Sequence, residues 1–124
     1  MNRMENGGSD LIEGMNRCIH SDVCPERKEL LRRIVVLLFT SSIFPPRFVR
    51  ADGIDLLLLA LRDPEPTIRL LAAHSLTRLA ELGYRDQVKG AGAENELLRM
   101  LTDPYMPLRK FAERCLSIIH EPDG

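Results

Sequence analysis

The stretch from Gly53 to Ala80, GIDLLLLALRDPEPTIRLLAAHSLTRLA, is written twice in this chain, the second copy forty residues on. Leu57, Leu58, Leu61, Asp63, Pro64, Arg69, Ala72 and Leu76 return as Leu97, Leu98, Leu101, Asp103, Pro104, Arg109, Ala112 and Leu116. Ile68, Leu71, Thr77 and Leu79 return conservatively as Leu108, Phe111, Ser117 and Ile119. Each copy is an apolar run, a break at Asp-Pro, and a longer run with apolar residues three and four apart. A repeat of this length and make-up is that of an α-solenoid, in which units unable to bury their apolar faces alone stack on one another.

The spacing predicts the elements. A helix over Gly53–Arg62 stops before Pro64, because the residue preceding proline is pushed out of helical geometry. A long helix runs from Pro66 or Thr67 through Leu82, with Ile68, Leu71, Ala72, Ser75, Leu76 and Leu79 inward and Gly83 as a left-handed cap. Tyr84–Lys89 is a short helical turn, and Gly90-Ala91-Gly92 is a corner. Ala93–Thr102 and Pro104–His120 repeat the pair, with Leu108, Phe111, Ala112, Cys115, Leu116 and Ile119 inward. Upstream, Pro25–Ser41 is a helix with Leu30, Leu31, Ile34, Val35 and Leu38 as its inner stripe. A shift of 41 superposes these on Leu71, Ala72, Ser75, Leu76 and Leu79, which makes a third, degenerate unit. Pro45-Pro46 reads as a break, with at most one turn over Arg47–Arg50. Leu11, Ile12, Met15, Cys18 and Ile19 mark a first helix capped by Ser9 or Asp10. Residues 1–9 read as a disordered tail, 10–120 as one repeat domain, and 121–124 as a second tail. The fold expected is all-α: a short right-handed α-solenoid of two clear units and one degenerate one.

The stretch YRDQVKGAGAENELLRMLTDPYMPLRKFAERCLSII, Tyr84 to Ile119, resembles the armadillo repeat, with HEAT repeats as close cousins. A short first helix ends in a Gly/Ala corner, a Leu-rich second helix follows, and Asp-Pro leads into a long third helix with Ala and Leu at core positions. The resemblance covers about Pro25 to Ile119. It implies that the third helices line a concave groove that binds other proteins. Peptide-binding members such as the import receptors for nuclear localisation signals carry Trp and Asn four residues apart on those helices. Here the Trp-like positions are Arg33, His74 and Arg114, and the Asn-like positions are Leu37, Arg78 and Ile118. Lys-rich import signals would be repelled by such a face.

Arg33, His74 and Arg114 fall one unit apart in one column, about 10 Å from each other if third helices stack at the usual interaxial spacing. With Arg69, Arg78, Arg109 and Lys110 they form a candidate basic groove for acidic segments of a protein partner. The bland alternative is a solvated face whose arginines pair with Glu29, Glu81 or Glu113. Val36, Leu37, Phe39 and Ile118 are candidate apolar docking residues at the ends of the stack, as in a subunit of a larger complex. A rival reading sets Arg33, Arg78, Arg109, Lys110 and Arg114 on nucleic-acid phosphates. The balance of 17 basic against 18 acidic side chains, and the scarcity of stacking aromatics, count against it.

Chemistry-bearing residues are present but not arranged for catalysis. Cys18, His20, Cys24, Cys115 and His120 offer soft ligands without a CxxC or HxxxH pair, so no metal or other cofactor is expected. Ser, His and Asp occur without a nucleophile elbow, and no enzymatic activity is expected. Three cysteines at no disulfide-framework spacing suit a reducing, intracellular and cytoplasmic setting. The apolar runs Ile34–Phe39 and Leu56–Leu61 are too short to cross a bilayer.

Overall fold

The structure, a computed structural model, describes residues 24–121. The expected helix over Leu11–Ile19, the polar stretch before it and residues 122–124 lie outside that range. The described residues form seven α-helices: α1 Cys24–Thr40, α2 Phe44–Arg50, α3 Gly53–Ala60, α4 Pro66–Leu79, α5 Arg85–Gly90, α6 Ala93–Met100 and α7 Met106–Ile119. No strand occurs among them. The bounds of α3 and α4 return forty residues later as those of α6 and α7. The chain is an α-solenoid. The long helices α1, α4 and α7 pack side by side with α4 in the middle, and α3 and α6 lie against α4 and α7. The long helices thus form one layer, the one that the armadillo resemblance puts on the inner side of the curve.

The core follows the apolar stripes. Leu31, Ile34, Leu38, Leu57, Ile68, Ala72, Leu76, Leu97, Leu108 and Ala112 are almost wholly buried. Each Leu or Ile so placed contributes about 1.5–3 kcal/mol through apolar area removed from water. Ser75 and Thr77 are buried too, and each returns its hydroxyl to a carbonyl one turn back, Leu71 O at 2.9 Å and Ala73 O at 2.8 Å. Leu30, Val35, Leu71 and Phe111, expected inward, are only half-buried, the last two packing on the core from its rim.

Two local outcomes differ from the expectation. Pro45 and Pro46 do not break the chain but open α2: within a first helical turn a missing N–H removes no bond. The Ser41 hydroxyl oxygen accepts from the amides of Ile43 and Phe44 at 3.2 and 3.1 Å, and so ties down that start. The long helix α4 ends at Leu79, and Ala80–Tyr84 is a wider turn with Gly83 at φ +106°. The corners between the short helices and α3 or α6 are backbone twins. Asp52 at φ +65° occupies the position that Gly92 holds at φ +89°.

One position shows how the units diverge while keeping volume. A Cβ on Gly53 would sit 2.5 Å from the ring of Phe48. In the next unit the same two positions are Ala93 and Val88, both fully buried. A large ring over glycine is thus exchanged for a smaller side chain over alanine.

The two Asp-Pro breaks are also fasteners. Asp63 accepts from Arg27 (Nε 2.8 Å, Nη2 3.3 Å) and Asp103 accepts from Arg69 (Nε 3.1 Å, Nη2 3.3 Å). Each carboxylate also accepts the amide two residues on, Glu65 and Tyr105, both at 2.9 Å. Arg69 further reaches back six residues to the carbonyl of Asp63 at 2.8 Å, and Arg109 does the same to Asp103. One aspartate therefore shapes its own turn and holds the arginine of the preceding unit. A shift of 41 places Lys28 where Arg69 would be; the structure uses Arg27 instead, and Lys28 pairs with Glu65.

Candidate interaction surface

The long helices α1, α4 and α7 present Phe39, His74 and Phe111 as one aromatic run. The imidazole of His74 lies between the two rings, with centroids 5.2 Å from Phe39 and 4.7 Å from Phe111. The guanidinium of Arg78 stands 4.5 Å over the Phe39 ring, and its Nε donates to Leu38 O at 3.2 Å. Phe39 remains 46% exposed, so this run is a surface feature. Burial pushes the His74 pKa below its usual value, against a smaller upward pull from Glu81. The imidazole is therefore neutral at pH 7 and acts as a third flat ring.

Arg33, His74 and Arg114, the expected column, stand one each on α1, α4 and α7. Equivalent positions on parallel helices point the same way, so they align without facing each other. The pairs that touch lie at other offsets: Phe39 with His74, His74 with Phe111, and Glu81 with Arg114. Arg114 donates to Glu81 through Nε at 3.0 Å, an exposed pair worth about 0–1 kcal/mol. Arg109 is turned to the Asp103 loop. Arg33 and Lys110 are exposed and have no ion-pair or hydrogen-bond partner among the described residues. Of the candidate apolar residues, Val36 is 56% exposed, Leu37 and Ile118 are half-buried against the core, and Phe39 belongs to the aromatic run.

Sequence reasoning missed two things. It read Asp63 and Asp103 only as breaks, although the Asp-Pro pair and the arginine six residues after the aspartate recur identically. It also placed Phe111 in the core and did not connect Phe39 with His74. Their separations, 35 and 37 residues, are not multiples of the repeat.

The Cys115 thiol is pushed up to about 11, mainly by burial, and is protonated at neutral pH. Among the described residues no three His, Cys, Asp or Glu side chains converge as metal ligands, and the Cys18–His20 part of the expected cluster lies outside them. No helix among them is long and apolar enough to cross a membrane.

The doubled helical unit, the stacked long helices and the carboxylate–arginine fasteners define an α-solenoid of the helical-repeat class, similar to ARM and HEAT repeats. Residues 54–83, from α3 to the turn after α4, match the HEAT repeat family model. The armadillo resemblance rested on the following unit, so each unit carries the pattern. No curated protein matches the chain. Among solved structures, the crystal structure of an engineered protein matches with a TM-score of 0.78 over 95% of this chain, at 21% identity. That likeness concerns fold, and the chain spans 45% of the engineered protein's length. HEAT repeats generally mediate protein–protein interaction, and proteins built from them are generally non-enzymatic scaffolds.

Proposed function

We propose that this chain is a non-catalytic adaptor that holds a segment of a protein partner on the inner layer formed by α1, α4 and α7, as one subunit of a larger assembly. The observation that carries this reading is the half-exposed run Phe39–His74–Phe111, with the exposed cations Arg33 and Lys110 on the same helices. Flat rings contribute contact area at low entropic cost, and cations that are not already paired favour a partner with acidic side chains. Arg78 and Arg114 complete the basic surface at its edges. Val36 and Ile43, 56% and 51% exposed, support a second contact on the α1 side, with Leu37 beneath and Ile118 at the opposite end. An intracellular, cytoplasmic setting suits Cys115, which is held as a free buried thiol.

The test is co-purification with the full chain and identification by mass. Arg33→Glu combined with Lys110→Glu is expected to leave the helical circular dichroism unchanged and to reduce retention of bound proteins about tenfold, the loss of roughly one charge-assisted contact. Asp55→Lys, on the exposed side of α3, is expected to retain them. An unchanged set of bound proteins in the double variant overturns the reading.

A further inference from the structure

A cavity of about 460 Å³ opens where the end of α1, the start of α2 and the end of α4 meet, and its walls include Phe39, Pro45, Arg78, Leu82 and Tyr84. That volume lies within the range of ligand pockets, about 300–1,000 Å³. Among the described residues Arg78 is the one charged side chain on its walls, and no carboxylate lines it. The arginine is already oriented. Its Nε is spent on Leu38 O and its plane rests over the Phe39 ring, which leaves the terminal nitrogens as donors with no acceptor among the described residues. Arg27, Arg62, Arg69 and Arg114 instead each direct their forks at a carboxylate of this chain. Arg78 is also outside the repeat's structural chemistry, since its counterpart in the next unit is Ile118.

We infer that this cavity is a peptide-binding pocket for a linear segment carrying an aspartate or glutamate beside an apolar side chain. The carboxylate takes the two terminal donors of Arg78, a planar match that a guanidinium makes and an ammonium does not. The neighbouring apolar side chain enters between Phe39, Leu82 and Tyr84; Phe39 and Leu82 are 46% and 38% exposed. Charge complementarity fixes the occupant: one held cation, walls that set apolar side chains beside the hydroxyls of Thr40, Ser41 and Ser42, and no carboxylate among the described lining residues select an acidic–apolar pair. The inference rests on the adaptor reading and names the chemistry of the segment held.

The experiment titrates ¹⁵N-labelled full chain with two blocked hexapeptides, one with a central phenylalanine–aspartate pair and its phenylalanine–asparagine twin. The aspartate peptide is expected to shift the amides of Leu38–Ser42 and Arg78–Tyr84 and to bind about tenfold more tightly than its twin. Arg78→Gln is expected to bring the two peptides level. Because that change also removes the Leu38 contact, Leu82→Glu serves as a second variant: it alters an exposed side chain and is expected to abolish the aspartate preference. Equal binding of the twins to the parent chain, shifts centred elsewhere, or a preference that survives Leu82→Glu overturns the inference. Those results leave the adaptor reading standing if Arg33→Glu with Lys110→Glu still releases the co-purified proteins; if that variant releases nothing, both fall.

Discussion

Replacing Asp103 by alanine removes the acceptor of two guanidinium bonds from Arg69 and of the Tyr105 amide. The paired side chains are 14% and 8% exposed, so the loss is not that of a surface ion pair. A buried charge stripped of its partner costs about 3–5 kcal/mol. Arg69 keeps two carbonyls, Asp63 O at 2.8 Å and Pro64 O at 3.1 Å, which moves the expectation to the low end, about 3 kcal/mol. Asp103→Asn retains the turn and one neutral acceptor and should cost about 1–1.5 kcal/mol. Glu81→Ala, which frees a 63% exposed Arg114, should cost less than about 1 kcal/mol. Urea unfolding followed by circular dichroism measures all three. In a thermal melt, at roughly 4 °C per kcal/mol, Asp103→Ala should lower Tm by about 12 °C. A double-mutant cycle with Arg69→Leu should show a coupling of at least about 1 kcal/mol. If Asp103→Ala costs no more than Glu81→Ala, the fastener account of the Asp-Pro breaks is refuted.

Gly53→Ala should cost about 1–3 kcal/mol by overpacking against Phe48, and combining it with Phe48→Val, the pairing found as Val88 and Ala93, should leave the protein at least about 1 kcal/mol more stable than the summed single changes; additive urea midpoints would contradict this. Ala72→Asp and Ala112→Asp each place a charge at a position with no exposure and should unfold the domain, at a cost on the order of 3–5 kcal/mol; unchanged melting curves would show the inward stripe to be misplaced. The native pKa of His74 lies below the unfolded value of 6.5, so the unfolded chain binds a proton that the native imidazole resists. Stability should therefore fall as pH drops below about 6.5 and level off once native His74 is also protonated. His74→Phe should lessen that fall between pH 7.5 and 5, and parallel curves for the two proteins would refute it.

The repeat made the architecture legible because a stacked unit must bury the same positions each time. Ile68, Ala72 and Leu76 sit in the core as Leu108, Ala112 and Leu116 do, and reading one unit reads the other. The departures have local causes. Two prolines look like a break in a window of residues, but their effect depends on whether the helix starts there, and Ser41 decides that from outside it. The surface was harder to read because repeat arithmetic finds residues that point the same way, whereas recognition surfaces are made by residues that face one another. Phe39 meets His74, and Arg78 meets Leu38 and Phe39, across helices at offsets that no period predicts.

The repeat also shows where it stops being symmetrical. On α4 and at its C-terminal end, Ala73, Thr77 and Ala80 are all buried, and Thr77 lies 3.4 Å from Phe111 O. Forty residues on, at the same positions of α7 and its end, stand Glu113, Ser117 and His120, all exposed. Small residues let two long helices approach closely, and a glutamate at the first of those positions would leave a buried carboxylate if another helix packed there in the same way. That side of α7 therefore does not reproduce the α4–α7 packing, and Ile118 beside it is already half-buried against its own core. The α1 side differs: Val36, Phe39 and Ile43 are all about half exposed, and Phe39 also lines the Arg78 cavity. A partner that covers the α1 side and reaches the aromatic run would bury apolar area without stranding a charge. For that reason the adaptor reading puts its second, apolar contact at the α1 end of the layer rather than at the α7 end.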